Sequence, residues 1–189
     1  MTAAPKLVIA AVLVAGASIA TAVATQGGAA RDTARLSNTG RERVEIRRLV
    51  IRSARIDHGR VLALRDGRAL YRLDRANDTP CFGVGPAADI GNVDAATCPR
   101  GGFPRAGQPV LDFSVYESTR RDVRDLSLYR VEGFAADGVA AVEFLRPNGS
   151  VALRVPVAGN VYAATDVPAG PIAGFAALDK AGKRVWRSP

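Results

Sequence analysis

The stretch Val61–Leu73, VLALRDGRALYRL, places the dipeptide Asp66-Gly67 between two runs in which apolar and polar residues alternate. Alternation with a period of two is typical of a strand with one buried face. Asp-Gly favours a two-residue type I′ turn because both central positions need a positive φ. The stretch therefore predicts a β-hairpin, and with it an antiparallel sheet.

This turn also predicts which residues of the hairpin face each other, because the register of a hairpin follows from its loop length. Counting outward from the turn pairs Leu64 with Ala69 and Leu62 with Tyr71. These four residues and Leu73 are expected to form one apolar face. The other face is expected to lie in solvent and to carry Arg65, Arg68 and Arg72.

Short strand patterns recur after residue 126. Segments 142–157 and 172–188 each read as a hairpin around a Gly-containing turn. Pro156 lacks a backbone donor, which indicates an edge strand. Five or six short strands at this spacing predict a small C-terminal β-sandwich. The predicted fold class is therefore mainly β, built from antiparallel hairpins.

Two segments give weaker signals. Residues 43–57 are rich in β-branched residues, which favours a strand, but their apolar positions also fit one face of a helix. Residues 80–109 contain eleven Pro or Gly among 30 positions, so we expect a loop without a long regular element.

The N-terminus carries Lys6 and then an uncharged run, Leu7 to Ala24, that ends in Ala-Val-Ala. A basic residue, an apolar region and an A-x-A site form the pattern of a secretory signal peptide, cut here after Ala24. An uncleaved anchor helix is the alternative, although a run of this length lies at the short end of what spans a bilayer. The signal peptide and the anchor both predict export of the rest of the chain. Residues 25–40 are predicted to form a flexible tether.

Cys81 and Cys98 are the two cysteines of the chain. A structural zinc site needs about four ligands, which two cysteines and one histidine cannot supply. A thioredoxin-type redox pair needs C-x-x-C, which is absent. The interpretation that remains is an intramolecular disulfide, which agrees with an oxidising compartment. We therefore predict a disulfide-stapled loop, with no metal site and no cofactor.

The positive charge of the chain is concentrated in residues 31–75. This segment contains 13 arginines against 6 acidic residues, and it supplies +7 of the net charge of +8. It reads either as a solvated face or as a surface that binds anionic lipid or a cell-envelope polymer. Nucleic acid is not expected, because no aromatic residue precedes Tyr71 for base stacking. The candidate contacts are Arg41, Arg43, Arg47, Arg48, Arg52 and Arg55.

Catalytic motifs give little signal. His58 is the one histidine, and no G-x-S-x-G surrounds a serine. GVGPAA at 83–88 has the spacing of a dinucleotide-binding turn, but Gly91 would end the helix that this site requires. Asp112 and Glu143 lie in strand patterns, and solvent-facing positions are expected for both.

Three segments carry a resemblance to other proteins: CFGVG at 81–85, PVLDFSVYE at 109–117 and DGVAAVEFLRPNGS at 137–150. In overall style, residues 60–185 resemble uncharacterised exported proteins of high-GC bacteria. The C-terminal pattern also looks like immunoglobulin-like or carboxypeptidase-regulatory-like β-modules. The resemblance implies a β-module and transfers no catalytic residue, because these motifs consist of turn and core residues.

A charged connector at 119–125 suggests a domain boundary. The predicted parts are a signal peptide or anchor at 1–24, the tether at 25–40, a β-rich domain at 41–125 and an immunoglobulin-like β-sandwich at 126–189. We expect an exported, non-enzymatic binding or structural module at the bacterial cell surface. The alternative is a small extracytoplasmic hydrolase with a carboxylate site that the sequence does not reveal.

Overall fold

The computed structural model describes residues 35–49, 56–75, 79–105, 107–118 and 126–188. These residues form strands and no helix, so the mainly β prediction is confirmed. The predicted signal or anchor helix at 1–24, and the tether up to residue 34, lie outside the described residues. Within the described part of the chain, no helix has the length and apolar character needed to cross a membrane.

The first sheet contains five antiparallel strands, in the spatial order β1, β3, β4, β5 and β7. Their bounds are β1 Glu42–Glu45, β3 His58–Arg65, β4 Arg68–Asp74, β5 Cys81–Pro86 and β7 Ala95–Thr97. A short parallel pair joins β2, Arg48–Leu49, to β6, Asn92–Val93. The described part of segment 43–57 is therefore extended rather than helical.

The hairpin at the centre of this sheet has the predicted turn but not the predicted register throughout. Asp66 and Gly67 have φ values of 46° and 73°, as a type I′ turn requires. Leu64 faces Ala69 as predicted. A β-bulge then shifts the pairing, so Tyr71 faces Val61 instead of Leu62. The prediction for Leu62 is wrong because the bulge moves its side chain to the other face of the sheet.

The burial of the hairpin side chains also differs from the prediction at both ends of the turn. Leu64, expected in the core, is 57% exposed. Arg68, expected in solvent, is 8% exposed because it lies beneath the second sheet. Arg65 and Arg72 are partly exposed.

The remaining strands form two further sheets. The second sheet places β10 between β13 and β8, and β9 pairs with the first part of β10. The third sheet has the order β12, β11, β14, β15, which confirms the two predicted hairpins and the edge position of Pro156. Their bounds are β8 Val110–Asp112, β9 Val115–Ser118, β10 Leu126–Ala135, β11 Ala141–Leu145, β12 Val151–Pro156, β13 Val161–Ala164, β14 Gly174–Leu178 and β15 Arg184–Arg187.

The second sheet lies between the other two, because its successive side chains enter different cores. Phe134 and Val161 pack with Leu70 and Phe82 of the first sheet. The next residues along the same strands, Ala135 and Tyr162, pack with residues of the third sheet. The molecule thus has three layers of sheet. At these positions both faces of the middle layer are buried.

The predicted division of the chain after residue 125 stays a prediction. Strands β9 and β10 lie on its two sides and pair with each other, and β8 also pairs with β10. The residues on the two sides therefore share one sheet and a common core, which weighs against two independent domains.

The predicted disulfide between Cys81 and Cys98 is confirmed, and it connects the start of β5 to the residue after β7. With a sequence separation of 17, loop closure should stabilise the fold by about 3 kcal/mol. We expected a loop without a long regular element here, but the segment contains the six-residue strand β5, which lies between β4 and β7.

The glycines explain why β5 was missed. A Cβ atom at Gly83 would lie 2.6 Å from a methyl group of Val93, and one at Gly85 would lie 1.9 Å from the Asn92 carbonyl oxygen. The chain at 92–93 packs directly on the strand, so only glycine fits at these two positions. The spacing that resembles a dinucleotide-binding turn is therefore a strand surface with no following helix.

Candidate anion-binding surface

Three arginines lie side by side on one face of the first sheet. Arg43 of β1 faces Arg60 of β3, and Arg60 faces Arg72 of β4. Neighbouring strands lie about 4.7–4.9 Å apart, so the bases of the three side chains are close together. We call this set, Arg43, Arg60 and Arg72, the arginine row. It runs across the strands rather than along one of them.

The arginine row has an unfavourable arrangement for the isolated protein. Like charges directly opposite on neighbouring strands are destabilising. Arg43 is exposed, and Arg60 and Arg72 are partly exposed. Among the described residues, none of the three forms a salt bridge or a side-chain hydrogen bond. The row is thus a set of aligned guanidinium groups whose donors are available to an anion.

The two ends of the arginine row have different surroundings. One end opens at β1, the edge strand of the sheet. At the other end Arg72 faces Phe82, which is buried and forms an edge-to-face contact with Phe103. A depression of about 180 Å³ adjoins Arg72 and is lined by Arg72, Leu73, Asp74, Arg75 and Pro80.

A second row of residues lies parallel to the arginine row. Glu45 faces His58, and His58 faces Asp74, each two positions along its strand from an arginine of the row. All three residues are exposed. The arginine row is therefore bordered on one side by the carboxylates of Glu45 and Asp74.

The six arginines predicted to contact an anionic surface lie in different environments. Arg43 belongs to the arginine row, and Arg41 and Arg48 are exposed near it in the chain. Arg47 forms a salt bridge with Asp89 and donates to the Ile90 carbonyl oxygen, so it joins the link between β1 and β2 to the turn that follows β5. The remaining two candidates, Arg52 and Arg55, lie outside the described residues.

The prediction missed Arg60 and Arg72 as site residues. The alternation in the hairpin places Arg72 on a face with other arginines, and this was the available signal. Which arginines become neighbours depends on the pairing of β1 with β3, which has no local signature in the sequence. The bulge near Leu62 then aligns Arg60 with Arg72.

A different cluster of charges lies between the first and second sheets. Arg68 donates from Nε to Oε2 of Glu132 at 2.9 Å and from both terminal nitrogens to Asp94 at 2.7 and 2.9 Å. Arg130 donates to the other oxygen of Glu132 at 3.1 Å. Burial acts to lower the pKa of Arg68, but the two carboxylates outweigh it and raise that pKa above its ordinary value. This cluster joins two sheets and leaves no oxygen of Glu132 without a partner.

Asp112 lies on the side of the second sheet that faces the third. Its Oδ1 accepts hydrogen bonds from the hydroxyls of Tyr162 and Ser114, both at 2.7 Å. Burial raises the pKa of Asp112 from 3.8 to about 6, even though these hydrogen bonds favour its charged form. The Tyr162 ring crosses Gly133, where a Cβ atom would lie 2.4 Å from the tyrosine oxygen. Gly133 therefore makes this contact possible.

The expectation that Asp112 and Glu143 face solvent is wrong. Asp112 is partly buried, and Glu143 is 2% exposed. Glu143 accepts hydrogen bonds from Arg154 at 3.0 Å and from Arg184 at 2.9 Å. Burial acts to raise the pKa of Glu143, but the two arginines outweigh it and lower that pKa. Glu143 is thus a structural anchor for three strands of the third sheet.

Neither a metal centre nor a nucleophilic site is evident in the described ranges. No group of three His, Cys, Asp or Glu side chains there converges as metal ligands do. His58 is exposed, and its cross-strand neighbours are carboxylate residues rather than a serine.

No family model, curated protein or solved structure matches the chain. The resemblance of residues 60–185 to exported bacterial proteins therefore stays a prediction.

Replacing Arg60 with glutamine is expected to leave the free energy of unfolding unchanged or to raise it by about 0.2–1 kcal/mol. Arg60 has a like charge on each side, and the substitution removes both repulsions. Urea unfolding measures the change, with the exposed Arg187→Gln as a control for the loss of one charge. A loss of more than about 1 kcal/mol would mean that Arg60 supports the fold.

Proposed function

We propose that this protein is an exported, non-enzymatic binding module that acts at the bacterial cell surface and attaches to an anionic component of the envelope. The observation that carries the proposal is the arginine row: three cross-strand arginines without an acidic partner among the described residues. Guanidinium groups bind carboxylate and phosphate oxygens through paired hydrogen bonds. An anionic ligand would turn a repulsive arrangement into a favourable one.

The contrast with the other arginines of the protein supports this assignment. Arg68, Arg130 and Arg154 each bind a buried carboxylate, and Arg47 binds Asp89. The fold thus provides partners for many of its arginines. The members of the arginine row, in contrast, are held in alignment by the backbone pairing of three strands.

Export is supported by the disulfide, which is compatible with an oxidising compartment. The signal peptide or anchor at 1–24, the tether and the immunoglobulin-like character of residues 126–189 are further parts of this proposal. They rest on the sequence patterns and on the resemblance described above.

Co-sedimentation of the purified protein with isolated bacterial envelope tests the proposed function. We expect binding at low salt that weakens steeply as salt is added, since screening reduces attraction between exposed charges. The variant Arg43→Gln/Arg60→Gln/Arg72→Gln should bind at least about tenfold more weakly, a change of about 1.4 kcal/mol.

The matched control is Lys180→Gln/Lys183→Gln/Arg187→Gln, which removes the same charge from exposed positions near the C-terminus. It should retain most of the binding, and thermal unfolding should show that both variants are folded. If the wild type fails to sediment at low salt, or if both variants lose binding equally, the proposed function is wrong.

The hydrolase alternative has less support. It would need two carboxylates that converge on one substrate, whereas Asp112 and Glu132, on neighbouring strands of the second sheet, face opposite sides of that sheet. Both oxygens of Glu132 are bound by arginines, and Oδ1 of Asp112 accepts two hydroxyl hydrogen bonds. These carboxylates are engaged in holding the sheets together, so we favour the binding module.

A further inference from the structure

We propose that the ligand of the arginine row is a linear polyanion, an unbranched polymer with regularly repeated anionic groups that lies across β1, β3 and β4. This inference rests on the proposed function, and it chooses between the two anionic envelope components that a basic surface can bind. The choice of a polymer over a membrane follows from the narrow shape of the arginine row and from the residues that border it.

On β3 and β4 the arginine row is only one residue wide, and beside Arg43 it adjoins the exposed Arg41. Along each strand, the next residue on the same face lies roughly 7 Å away. On one side these residues are Glu45, His58 and Asp74. On the other side Leu70, two positions before Arg72, is buried against the second sheet. The guanidinium groups of the arginine row therefore form a narrow strip. The carboxylates of Glu45 and Asp74 lie on one side of it, and the second sheet lies on the other.

A narrow strip suits a polymer better than a bilayer surface. A flat anionic membrane that approached the arginine row would also approach Glu45 and Asp74, both exposed, and would be repelled by them. A single polymer chain can follow the row and avoid the acidic side. Its anionic groups would match the arginines best if they recurred at about the strand spacing of 4.7–4.9 Å or at a multiple of it.

Further arginines lie near the Arg72 end of the arginine row. Beyond Arg72 the next residue across the sheet is Phe82, and Phe103 packs on its ring. Phe103 belongs to a turn that also carries Arg100 and Arg105, both exposed. Arg105 donates to the Arg100 carbonyl oxygen at 3.2 Å and to Gln108 at 2.9 Å, which fixes its position in the turn. Because Phe82 is buried, a polymer that extended past the row would have to pass over Phe103 to reach this turn.

The test is a binding titration of the full chain with galacturonate oligomers of increasing length, which carry one carboxylate per sugar. Long-chain polyphosphate is a second probe that separates phosphate from carboxylate preference, and vesicles that contain phosphatidylglycerol represent the membrane. We expect affinity to rise with oligomer length, and Arg43→Gln/Arg60→Gln/Arg72→Gln to lower the affinity for every polymer at least about tenfold.

Arg100→Gln/Arg105→Gln should weaken binding of the long oligomers and leave the short ones unchanged. The Lys180→Gln/Lys183→Gln/Arg187→Gln control should bind all polymers nearly as the wild type does. Vesicle binding that depends on the arginine row, with no gain from polymer length, would overturn the inference and leave the proposed function standing. Binding to neither polymers nor vesicles nor envelope would overturn both.

Discussion

Replacing Arg68 with alanine is expected to lower the free energy of unfolding by roughly 3–5 kcal/mol, because it leaves one oxygen of a buried carboxylate without its arginine partner. The Glu132 side chain has no exposed surface, and Arg68 binds its Oε2 at 2.9 Å. The same guanidinium group binds Asp94, so its removal also disconnects β4 from the turn that follows β6. Urea unfolding measures the loss.

Two further variants separate this charge effect from simple loss of packing. Replacing both members of the buried pair with apolar residues, as in Arg68→Met/Glu132→Leu, should recover much of the stability that Arg68→Ala loses, since no uncompensated buried charge remains. Arg65 lies directly opposite Arg68 on the neighbouring strand. Replacing it with alanine should lower the free energy of unfolding by less than about 1 kcal/mol. A loss in Arg68→Ala no larger than that in Arg65→Ala would show that the buried pair does not hold the two sheets together.

Replacing Asp112 with asparagine is expected to stabilise the protein above about pH 6 and to remove one source of its pH dependence. Burial raises the pKa of this carboxyl from 3.8 to about 6, so its charged form disfavours the folded state. The full shift corresponds to about 3 kcal/mol at 1.36 kcal/mol per unit. Because the side chain retains some contact with solvent, we expect a gain of about 1–2 kcal/mol.

The direction of the pH effect follows from proton binding. Between pH 3.8 and about 6 the folded state binds more protons at Asp112 than the unfolded state does. The contribution of this group to stability is therefore lost as the pH rises through that window. Glu143 and Asp137 have lowered pKa values and act in the opposite direction, so their contribution is lost as the pH falls below their ordinary values of 4.5 and 3.8.

Urea unfolding as a function of pH measures this prediction. The asparagine oxygen can still accept from Tyr162 and Ser114, so Asp112→Asn keeps both hydrogen bonds. Asp166→Asn, at an exposed position, controls for the loss of one negative charge. If Asp112→Asn is less stable than the wild type above about pH 6, the ionised carboxylate contributes favourably and our account of Asp112 is wrong.

The predictable parts of the fold were those with local signals. Asp66-Gly67 dictated its turn, and two cysteines in a chain with an export pattern were enough to predict the disulfide. The bulge near Leu62 could not be read from the sequence, because residues 61–63 contain no Gly or Pro that would mark it. Strand β5 was missed because its glycines weaken the strand pattern, whereas in the folded protein they accommodate the chain at 92–93.

The candidate site was predictable in composition but not in arrangement. The excess of arginine in residues 31–75 indicated a basic surface. Burial of Arg68, capture of Arg47 by Asp89 and alignment of Arg43 with Arg60 and Arg72 are all consequences of long-range pairing. Sequence reasoning treats these arginines as equivalent, and tertiary structure gives them different roles.

The central claim is that anions bind the arginine row, and side-chain NMR tests it most directly. Titration of the labelled protein with galacturonate oligomers should shift the Nε–H signals of Arg43, Arg60 and Arg72, together with the backbone amides of β1, β3 and β4. The Nε–H signals of Arg68 and Arg154, which bind buried carboxylates, should move little. Shifts spread evenly over all exposed arginines and lysines, or confined to the third sheet, would contradict the account.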